Sequence, residues 1–446
     1  MFSKILIANR GEIAVRIIRA CKEMGISTVS VYSESDRDAL HVSLADESIC
    51  IGGTKAKDSY LNMNSIISAA CVTKAEAIHP GYGFLSENHK FAEMCEKCGI
   101  VFIGPPSEVI ASMGDKDAAK RMMRSAGVPV IPGCDLIKTA VQAHREADKI
   151  GYPLLIKARA GGGGRGIRKV ERSEDVESSF ISASNEARSV FGDGECYIEK
   201  YLNPVKHVEM QILCDNYGNV ISLGERECSV QRKNQKLIEE SPSPAVNDAI
   251  RAKMTEASVK AAKASGYRGA GTIEYLLDKS GNFYFMEMNT RLQVEHAVSE
   301  MVTGIDIVKW QIRIAAGAEI TFTQNDIKID GCAMECRINA EDPYDNFRPC
   351  AGKITLLHVP GGPNVRFDSA LYQGYEIPPF YDSMIGKVIV CAKTREETIR
   401  KMQAALCELV VEGVEHNSEL QMEILNDKDF MTGEYYTNFM TDKNLI

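Results

Sequence analysis

Two glutamates on opposite sides of a predicted β-hairpin form a candidate metal site. The segments 271–277 and 282–289 are typical of strands, and the four residues between them have the composition of a turn. If the two strands pair symmetrically about that turn, Glu274 lies directly opposite Glu287. Facing carboxylates repel each other unless a cation lies between them, and hard oxygen ligands suit Mg²⁺ held together with phosphate. A register slip of one residue would instead leave a solvated face.

Beyond this hairpin, polar side chains of varied chemistry occupy alternate positions. The odd positions carry Glu287, Asn289, Arg291, Gln293 and Glu295. If the backbone stays extended, one face presents metal ligands, then a guanidinium that suits a small carboxylate-shaped anion, then a possible base. We therefore interpret this stretch as a substrate site rather than as an ordinary surface strand.

A glycine-rich loop, ARAGGGGRGIRKV at residues 158–170, joins two predicted strands. No Gly-Lys-Ser/Thr sequence follows the four consecutive glycines, and the chain resumes as a strand, which disfavours both a P-loop and a Rossmann fingerprint. Backbone N–H groups at a hairpin tip suit closure over a polyphosphate, whereas the alternative is an ordinary mobile turn. We favour phosphate binding.

Further candidate positions follow strand ends or begin a helix. Lys116 begins a helix, where an isolated lysine is usually solvent-facing, and Lys157 ends an apolar strand just before the glycines. Residues 199–202 (EKYL) suit recognition of an adenine edge through backbone groups, or are a plain strand end. Residues 79–88 (HPGYGFLSEN) form a polar loop after a strand, a position that faces the binding crevice of a Rossmann-like sheet.

The predicted strands and helices that position these residues indicate a mixed fold, in which an α/β part is followed by an α+β part. Strands alternate with helices over residues 1–112, which predicts a parallel Rossmann-like sheet, although no glycine fingerprint follows its first strand. A central domain is predicted over 113–325, with a lid over 130–203 that contains the glycine loop. Short strands and a long helix predict an α+β domain over 326–446.

The composition of the 446 residues is that of a globular protein, with 44% apolar and 25% charged residues. A net charge of −9 argues against nucleic-acid binding. No apolar run approaches the roughly 20 residues of a membrane span, and the N-terminus lacks the pattern of a signal peptide. The 14 cysteines are scattered through apolar contexts, so we expect a cytoplasmic protein without disulfides.

Taken in order, these strings resemble the biotin carboxylases, which belong to the ATP-grasp enzymes. The matching segments include IANRGEIAVRIIRACKEMGI, HPGYGFLSEN, MGDK, GGGGRGIR, EKYL, HVEMQIL, ERECSVQRKNQK, FMEMNTRLQVEH, ECRINAEDP and YDSMIGK. D-Alanine ligases and purine-pathway carboxylases share the grasp fold but lack the strings MNTRLQVEH and QRKNQK. The resemblance covers essentially the whole chain and implies an ATP-grasp central domain whose glycine-rich lid closes over ATP.

The resemblance implies an ATP-, bicarbonate- and Mg²⁺- (or Mn²⁺-) dependent carboxylation of biotin. Bicarbonate attacks the γ-phosphoryl group of ATP to give carboxyphosphate, which breaks down to CO₂ and phosphate. The ureido N1′ of biotin then takes up the CO₂. In acetyl-CoA carboxylase this is the first half-reaction, and it serves fatty acid biosynthesis.

The resemblance also assigns residues to each ligand. The ATP site comprises Lys116, Lys157, Gly163, Gly164, Glu199, Lys200, Tyr201, Leu202, His207, Gln231, Asn234, Glu274 and Glu287. The metal ligands are Glu274, Glu287 and Asn289; bicarbonate is bound by Lys236, Arg291, Gln293 and Val294; the catalytic group is Arg291, Glu295, Lys236 and Arg337. Within it, Glu295 deprotonates bicarbonate and Arg337 binds biotin and stabilises its enolate. Asn234 stands where the family often has His, and Arg159 stands where a small residue is usual.

Partners are implied as well: a biotin carboxyl carrier protein, carboxyltransferase subunits, and a second copy of the chain near Arg16, Arg19 and Glu23. The sequence contains no Met-Lys-Met turn, so biotin is expected on another protein. One alternative is the same subunit in a pyruvate, propionyl-CoA or other acyl-CoA carboxylase. Others are a different ATP-grasp ligase and a non-catalytic nucleotide-binding regulator, which the intact carboxylate and arginine set disfavours.

Overall fold

The N-terminal part of the chain folds into a parallel sheet flanked by helices. The structure is a computed structural model that describes residues 1–134, 136–159, 166–192 and 194–446, apart from the side chains of Val190 and Phe191. The elements of this part are β1 (Lys4–Ile7), α1 (Gly11–Glu23), β2 (Ser27–Ser33), α2 (Leu40–Leu44), β3 (Glu47–Gly52), α3 (Met63–Thr73), β4 (Ala77–His79), α4 (His89–Lys97), β5 (Val101–Phe102) and α5 (Ser107–Gly114). The strand order is β3-β2-β1-β4-β5 with every pair parallel, which confirms the predicted Rossmann-like sheet.

A second, smaller sheet forms the lid. The next elements are α6 (Lys116–Ser125), α7 (Ala140–Ile150), β6 (Leu154–Ala158), β7 (Ile167–Val170), α8 (Val176–Phe191) and β8 (Cys196–Lys200). The antiparallel order β7-β6-β8 confirms that the glycine loop joins strand to strand, although its tip, 160–165, is outside the described residues. Gly166 follows with φ +72°, and a Cβ there would lie 2.7 Å from Ala158 Cβ, so the close return of the hairpin requires glycine.

The remaining elements build one large antiparallel sheet with helices on it. They are β9 (Val205–Cys214), β10 (Val220–Arg232), β11 (Gln235–Ser241), α9 (Asp248–Ser265), β12 (Gly269–Asp278), β13 (Phe283–Asn289), α10 (His296–Thr303), α11 (Ile307–Ala315), β14 (Cys332–Asn339), β15 (Glu341–Asp342), β16 (Arg348–Pro349), β17 (Gly352–Lys353), β18 (Leu356–His358), β19 (Val365–Ser369), β20 (Glu376–Ile377), β21 (Met384–Ala392), α12 (Arg395–Glu408), β22 (Val410–Glu412), α13 (Ser418–Asn426), α14 (Lys428–Thr432) and α15 (Phe439–Asp442). Eight of these strands form the sheet in the order β13-β12-β9-β10-β11-β14-β21-β19. The short strands pair as β15-β16, β17-β20 and β18-β22.

The large sheet runs without interruption across the predicted boundary at residue 326. Strand β11 pairs with β14 through Ile238 opposite Cys336 and Glu239 opposite Glu335. The central and C-terminal parts therefore share a sheet, and they also share apolar clusters, in which residues of β10, β11 and α10 pack with residues of β14 and β21. The sequence pattern predicted strands in both parts but not this pairing, because periodicity does not reveal which distant strands are neighbours.

The predicted dimer contact near Arg16, Arg19 and Glu23 stays a prediction. Within the chain, Arg16 is 8% exposed and its guanidinium pairs with Glu300 at 2.9 Å and Asp306 at 2.8 Å. Glu23 lies at the surface and pairs with Lys309 at 2.5 Å. Several cysteines, among them Cys21, Cys95 and Cys228, are buried in the apolar core. No helix among the described residues is long and apolar enough to cross a membrane.

Candidate functional site

A cleft of 1130 Å³ lies between the N-terminal sheet, the lid and the large sheet. Gly163 and Gly164 are outside the described residues. Of the other predicted site residues, Glu295 is fully buried beside the cleft, and the rest line it. These lining residues are Lys116, Lys157, Glu199, Lys200, Tyr201, Leu202, His207, Gln231, Asn234, Lys236, Glu274, Glu287, Asn289, Arg291, Gln293, Val294 and Arg337.

The two hairpin glutamates face each other as the sequence predicts. Glu274 on β12 pairs directly with Glu287 on β13, and Asn289 Nδ2 donates to Glu274 Oε1 over 2.8 Å. The half-exposed Glu287 carboxylate lies 3.2 Å from Lys116 Nζ, so a cation already neutralises it. The carboxylate oxygens of Glu274 and Glu287 and the amide oxygen of Asn289, all lining the cleft, fit a divalent cation such as Mg²⁺.

A buried ammonium group holds three carboxylates together at the floor of the cleft. Lys236 Nζ lies 2.6 Å from Glu209, 2.7 Å from Glu295 and 3.1 Å from Glu274. Burial favours the neutral form of Glu295, but Lys236 and Arg337 outweigh it and hold the pKa of this carboxyl well below its ordinary value. Glu295 is therefore an ionised, fully buried carboxylate with a cation on each oxygen.

Arg337 lies on the opposite side of Glu295 from Lys236. Its Nη2 donates to Glu295 Oε2 over 3.0 Å, and its Nε donates to Glu239 Oε1 over 2.6 Å. Burial raises the pKa of Glu239 to about 7 in spite of this contact. Glu239 also faces the buried Glu335 directly across β11 and β14. The guanidinium thus projects into the cleft from a densely charged wall.

Arg291 is held by the loop that follows β4. Its Nε donates to Glu87 Oε2 over 2.8 Å, and Nη1 donates to Gln293 Oε1 over 2.9 Å. The loop of residues 79–88 therefore faces the crevice, as predicted. The expected extended backbone beyond Asn289 is wrong, however, because β13 ends there and Glu295 is already the N-cap residue of helix α10. A bend and a turn, rather than strand alternation, bring these polar side chains together.

The strand β9 contributes a second polar row that the sequence analysis did not assign as a whole. His207, Glu209 and Gln211 alternate with Val208 and other apolar residues, a pattern that marks one face of a strand. Burial opposes a charge on His207, but Glu274 at 3.0 Å raises the pKa of the imidazole. Burial likewise disfavours the charged Glu274, yet Lys236 and His207 hold its pKa well below the ordinary value.

Behind this row, Arg226 supports the site without lining the cleft. It is fully buried, and its Nε donates to Glu209 Oε1 over 2.5 Å. Its other nitrogens donate to Gln211, Thr272 and Ser299. Glu209, Glu239, Glu87 and Arg226 were missing from the predicted site. Three of them stand in strings that resemble the family: Glu87 in HPGYGFLSEN, Glu209 in HVEMQIL and Arg226 in ERECSVQRKNQK.

At the lid, two lysines meet one buried glutamate. Lys157 Nζ lies 2.6 Å from Glu199 Oε2, and Lys120 contacts the other oxygen. The predicted adenine-reading segment follows, but its N–H groups are partly engaged in the fold. Lys200 N–H donates to the Pro132 carbonyl over 2.8 Å and Tyr201 N–H to the Pro153 carbonyl over 3.1 Å. Arg159 lies at the lid edge and pairs with Glu195 at 2.7 Å.

The hairpin between β10 and β11 explains the residue at position 234. Lys233 and Asn234 have φ values of +48° and +67°, so both central turn residues are left-handed. Asparagine tolerates this conformation better than most residues. Gln231 lies opposite Lys236 in the same hairpin. Asn234 thus satisfies the turn while its side chain stays at the cleft.

Three comparisons with known proteins agree with this arrangement. Residues 1–110 match the family described as biotin carboxylase, N-terminal domain; residues 115–323 match carbamoyl-phosphate synthase L chain, ATP binding domain; and residues 335–442 match biotin carboxylase C-terminal domain. Biotin carboxylase 1 of Bacillus subtilis is 54% identical over 442 residues, which cover 99% of this chain and 98% of that protein. A pyruvate carboxylase subunit of Methanothermobacter thermautotrophicus is 52% identical, covering 99% and 90%.

A solved structure supports the same conclusion. The biotin carboxylase domain dimer of Hydrogenobacter thermophilus 2-oxoglutarate carboxylase, in complex with MgADP, ADP and bicarbonate, matches with a TM-score of 0.92 and 50% identity. The match covers 100% of this chain and 98% of that one. The fold and site define an ATP-grasp ligase. The chain belongs to the biotin carboxylase family, and its activity is the ATP-dependent carboxylation of biotin.

Proposed function

We propose that this chain converts ATP, bicarbonate and a biotinylated carrier protein to ADP, phosphate and the carboxybiotinylated carrier, with Glu295 as the base toward bicarbonate. The observation that carries the proposal is the position of Glu295 between two cations. Lys236 contacts one of its oxygens and Arg337 the other, at 2.7 Å and 3.0 Å. The carboxylate therefore lies between the proposed bicarbonate residues and the proposed biotin residue.

Bicarbonate is recognised by a set of donors around the cleft floor. Arg291, Gln293, Lys236 and the Val294 backbone converge there, and an arginine fork matches a planar anion. Because Lys236 and Arg337 keep Glu295 ionised, it can accept the bicarbonate proton as the oxyanion attacks the γ-phosphoryl group. Arg337 then stabilises the negative charge that develops on the ureido oxygen of biotin.

Nucleotide and metal occupy the lid side of the same cleft. Lys116, Lys157, Glu199, Leu202, His207 and the hairpin residues Gln231 and Asn234 surround the nucleotide. Glu274, Glu287 and Asn289 would hold Mg²⁺, which neutralises charge on the phosphates when bound. Gly163 and Gly164 of the lid loop are assigned to the nucleotide on the sequence alone. Closure of the lid would exclude water from the reacting phosphoryl group.

The partners follow from the same reaction. A carrier protein brings biotin, and a carboxyltransferase uses the product; we place acetyl-CoA first as the acceptor. Pyruvate is the second candidate, because the Methanothermobacter relative is named as part of a pyruvate carboxylase. We also propose a homodimer, since the Hydrogenobacter structure is a dimer. Light scattering of the purified chain tests the dimer, and reconstitution with carboxyltransferase and each acceptor tests the assignment.

The activity is tested by following phosphate release from ATP and Mg²⁺, with and without bicarbonate and a biotinylated carrier. We expect release to depend on bicarbonate and carboxybiotin to form only when the carrier is present. The carrier should outperform the same concentration of free biotin, because tethering and remote contacts lower the cost of positioning. Phosphate release that does not depend on bicarbonate would contradict the proposal, and so would a carrier that is carboxylated no better than free biotin.

A further inference from the structure

Helix α6 presents two lysines to two different carboxylates of the cleft. Lys116 and Lys120 are four residues apart, so they lie on the same face of the helix one turn from each other. Lys116 reaches Glu287 on the large sheet, and Lys120 reaches Glu199 on strand β8 of the lid. Lys116 lines the cleft, whereas Lys120 contacts Glu199 from outside the lining and packs over the Tyr197 ring at 5.0 Å.

Glu199 carries one negative charge and has two ammonium partners. Its side chain is buried, with the residue only 3% exposed. One oxygen lies 2.6 Å from Lys157 Nζ, and the other contacts Lys120. A buried carboxylate needs at least one such partner, because leaving it unpaired in a low-dielectric surrounding is costly. The second lysine is therefore more than Glu199 itself requires.

The two lysines differ in how far their ammonium groups can move. Lys157 is the last residue but one of strand β6, just before the glycine-rich loop, and it lines the cleft. Lys120 is fixed on a helix whose Ala119 and Met123 belong to the core of the large sheet, so it cannot follow the lid. Of these two lysines, Lys157 is the one whose ammonium group is placed to leave Glu199 and contact a phosphate oxygen of a bound nucleotide.

We propose that Lys120 is a positioning residue that frees Lys157 for the nucleotide phosphates by remaining as the counter-ion of Glu199. The inference rests on the proposed function, in which Lys157 contacts ATP. When Lys157 moves to the phosphates, Lys120 keeps Glu199 paired and therefore buried at little cost. Without Lys120, the same movement would leave Glu199 without a counter-ion, so Lys157 would stay on Glu199 and ATP would bind less tightly.

The first test compares Lys120→Met with Lys120→Arg and with Arg121→Met, an exposed position next to Lys120 on the same helix. ATP binding is measured by calorimetry, and steady-state kinetics separates KM from kcat. K120M should raise the Kd and the KM for ATP about tenfold, with kcat within about twofold and the KM for bicarbonate unchanged. K120R and R121M should stay within about twofold of the wild type. A folded K120M with unchanged ATP binding overturns the proposal.

The second test is a double-mutant cycle with Glu199→Gln. A neutral amide needs no counter-ion, so K120M in the E199Q background should change the Kd for ATP by less than about twofold. An undiminished tenfold loss there would mean that Lys120 acts on something other than Glu199, which also overturns the proposal. Melting temperatures confirm that each variant folds. Calorimetry needs no turnover: a wild type that binds ATP but fails to carboxylate biotin contradicts the proposed function alone.

Discussion

Glu274 and Glu287 are direct cross-strand partners, although the hairpin between them is not symmetric. Tyr275 pairs with Phe285 rather than with Met286, and a bulge at Met286 then restores the pairing of the two glutamates. A bulge re-aims the side chains next to it, and Met286 itself lines the cleft. The facing carboxylates are thus kept together by an irregularity in the strand, which points to a requirement for both.

Glu287→Gln should abolish most activity and leave the fold intact. We expect a loss of about a hundredfold in kcat, about 2.7 kcal/mol, because an amide is a poor ligand for Mg²⁺. In metal-free buffer the melting temperature should hold or rise, since the repulsion from Glu274 is relieved while the lost ion pair with the exposed Lys116 contributes little to stability. Glu256→Gln, on an exposed helix face, is the matched control. Near-normal turnover of E287Q would disprove the metal assignment.

Lys157→Ala should weaken ATP binding about tenfold or more, because it removes an ammonium group that lines the cleft and is proposed to contact the phosphates. Glu199 keeps Lys120 as its partner, so the lid should remain folded. Lys149→Ala is the matched control, because Lys149 lies on helix α7 of the lid and pairs at the surface with Glu146 at 2.9 Å. If calorimetry gave equal ATP affinities for K157A and K149A, Lys157 would have only a structural role.

Glu295→Ala and Arg337→Ala should impair different steps of the reaction, even though the two side chains are in contact. Loss of Glu295 should suppress bicarbonate-dependent ATP cleavage and biotin carboxylation alike, because both follow bicarbonate deprotonation. Loss of Arg337 should reduce carboxylation more than ATP cleavage, because it acts on biotin. Both variants should fold, since Lys236 keeps Glu209 and Glu274 as partners. Assays of phosphate release and carboxybiotin on each variant decide this; equal losses in both assays for both variants contradict it.

The stability of the wild type should show a pH dependence that Glu239→Gln removes. Burial raises the pKa of Glu239 from 4.5 in a free side chain to about 7, against the contact with Arg337. The folded state therefore binds this proton more tightly than the unfolded state. Its stabilising contribution is complete below pH 4.5 and is lost as the pH rises through 7. Relative to E239Q, the wild type should melt at a higher temperature at pH 5 than at pH 8. A difference that stays constant with pH would show that Glu239 does not titrate in this range.

Local sequence patterns predicted much of the fold. The alternation of strands and helices over residues 1–112 predicted the parallel sheet, and the strand-glycine-strand order predicted the lid hairpin. These elements depend on their own residues and near neighbours, which is why the pattern sufficed. The role of strand β9 in the site was harder to predict, because it depends on the pairing of β9 with β12. At the site, the paired residues of these two strands are more than 60 positions apart in the sequence.

Sequence reasoning likewise found part of the functional site and missed the rest. The resemblance named Lys236, Glu295 and Arg337, and the structure brings all three into contact. The partners Glu209 and Glu239 were not named, because their importance arises only when distant strands place them beside a cation. The expected extended face beyond Asn289 was wrong because a helix begins at His296. The polar residues gather there through a turn that alternation alone does not predict.

The pairing of β11 with β14 also limits how this chain can be divided in evolution. Strand β11 is internal to the sheet, with β10 on one side and β14 on the other. A fragment that stopped at residue 325 would leave one edge of β11 without partners for its N–H and C=O groups, next to the buried Ile238. Such an edge recruits other strands and promotes aggregation. A gene rearrangement that exchanges the C-terminal part of this chain must therefore also supply a strand that pairs with β11 in the register of β14.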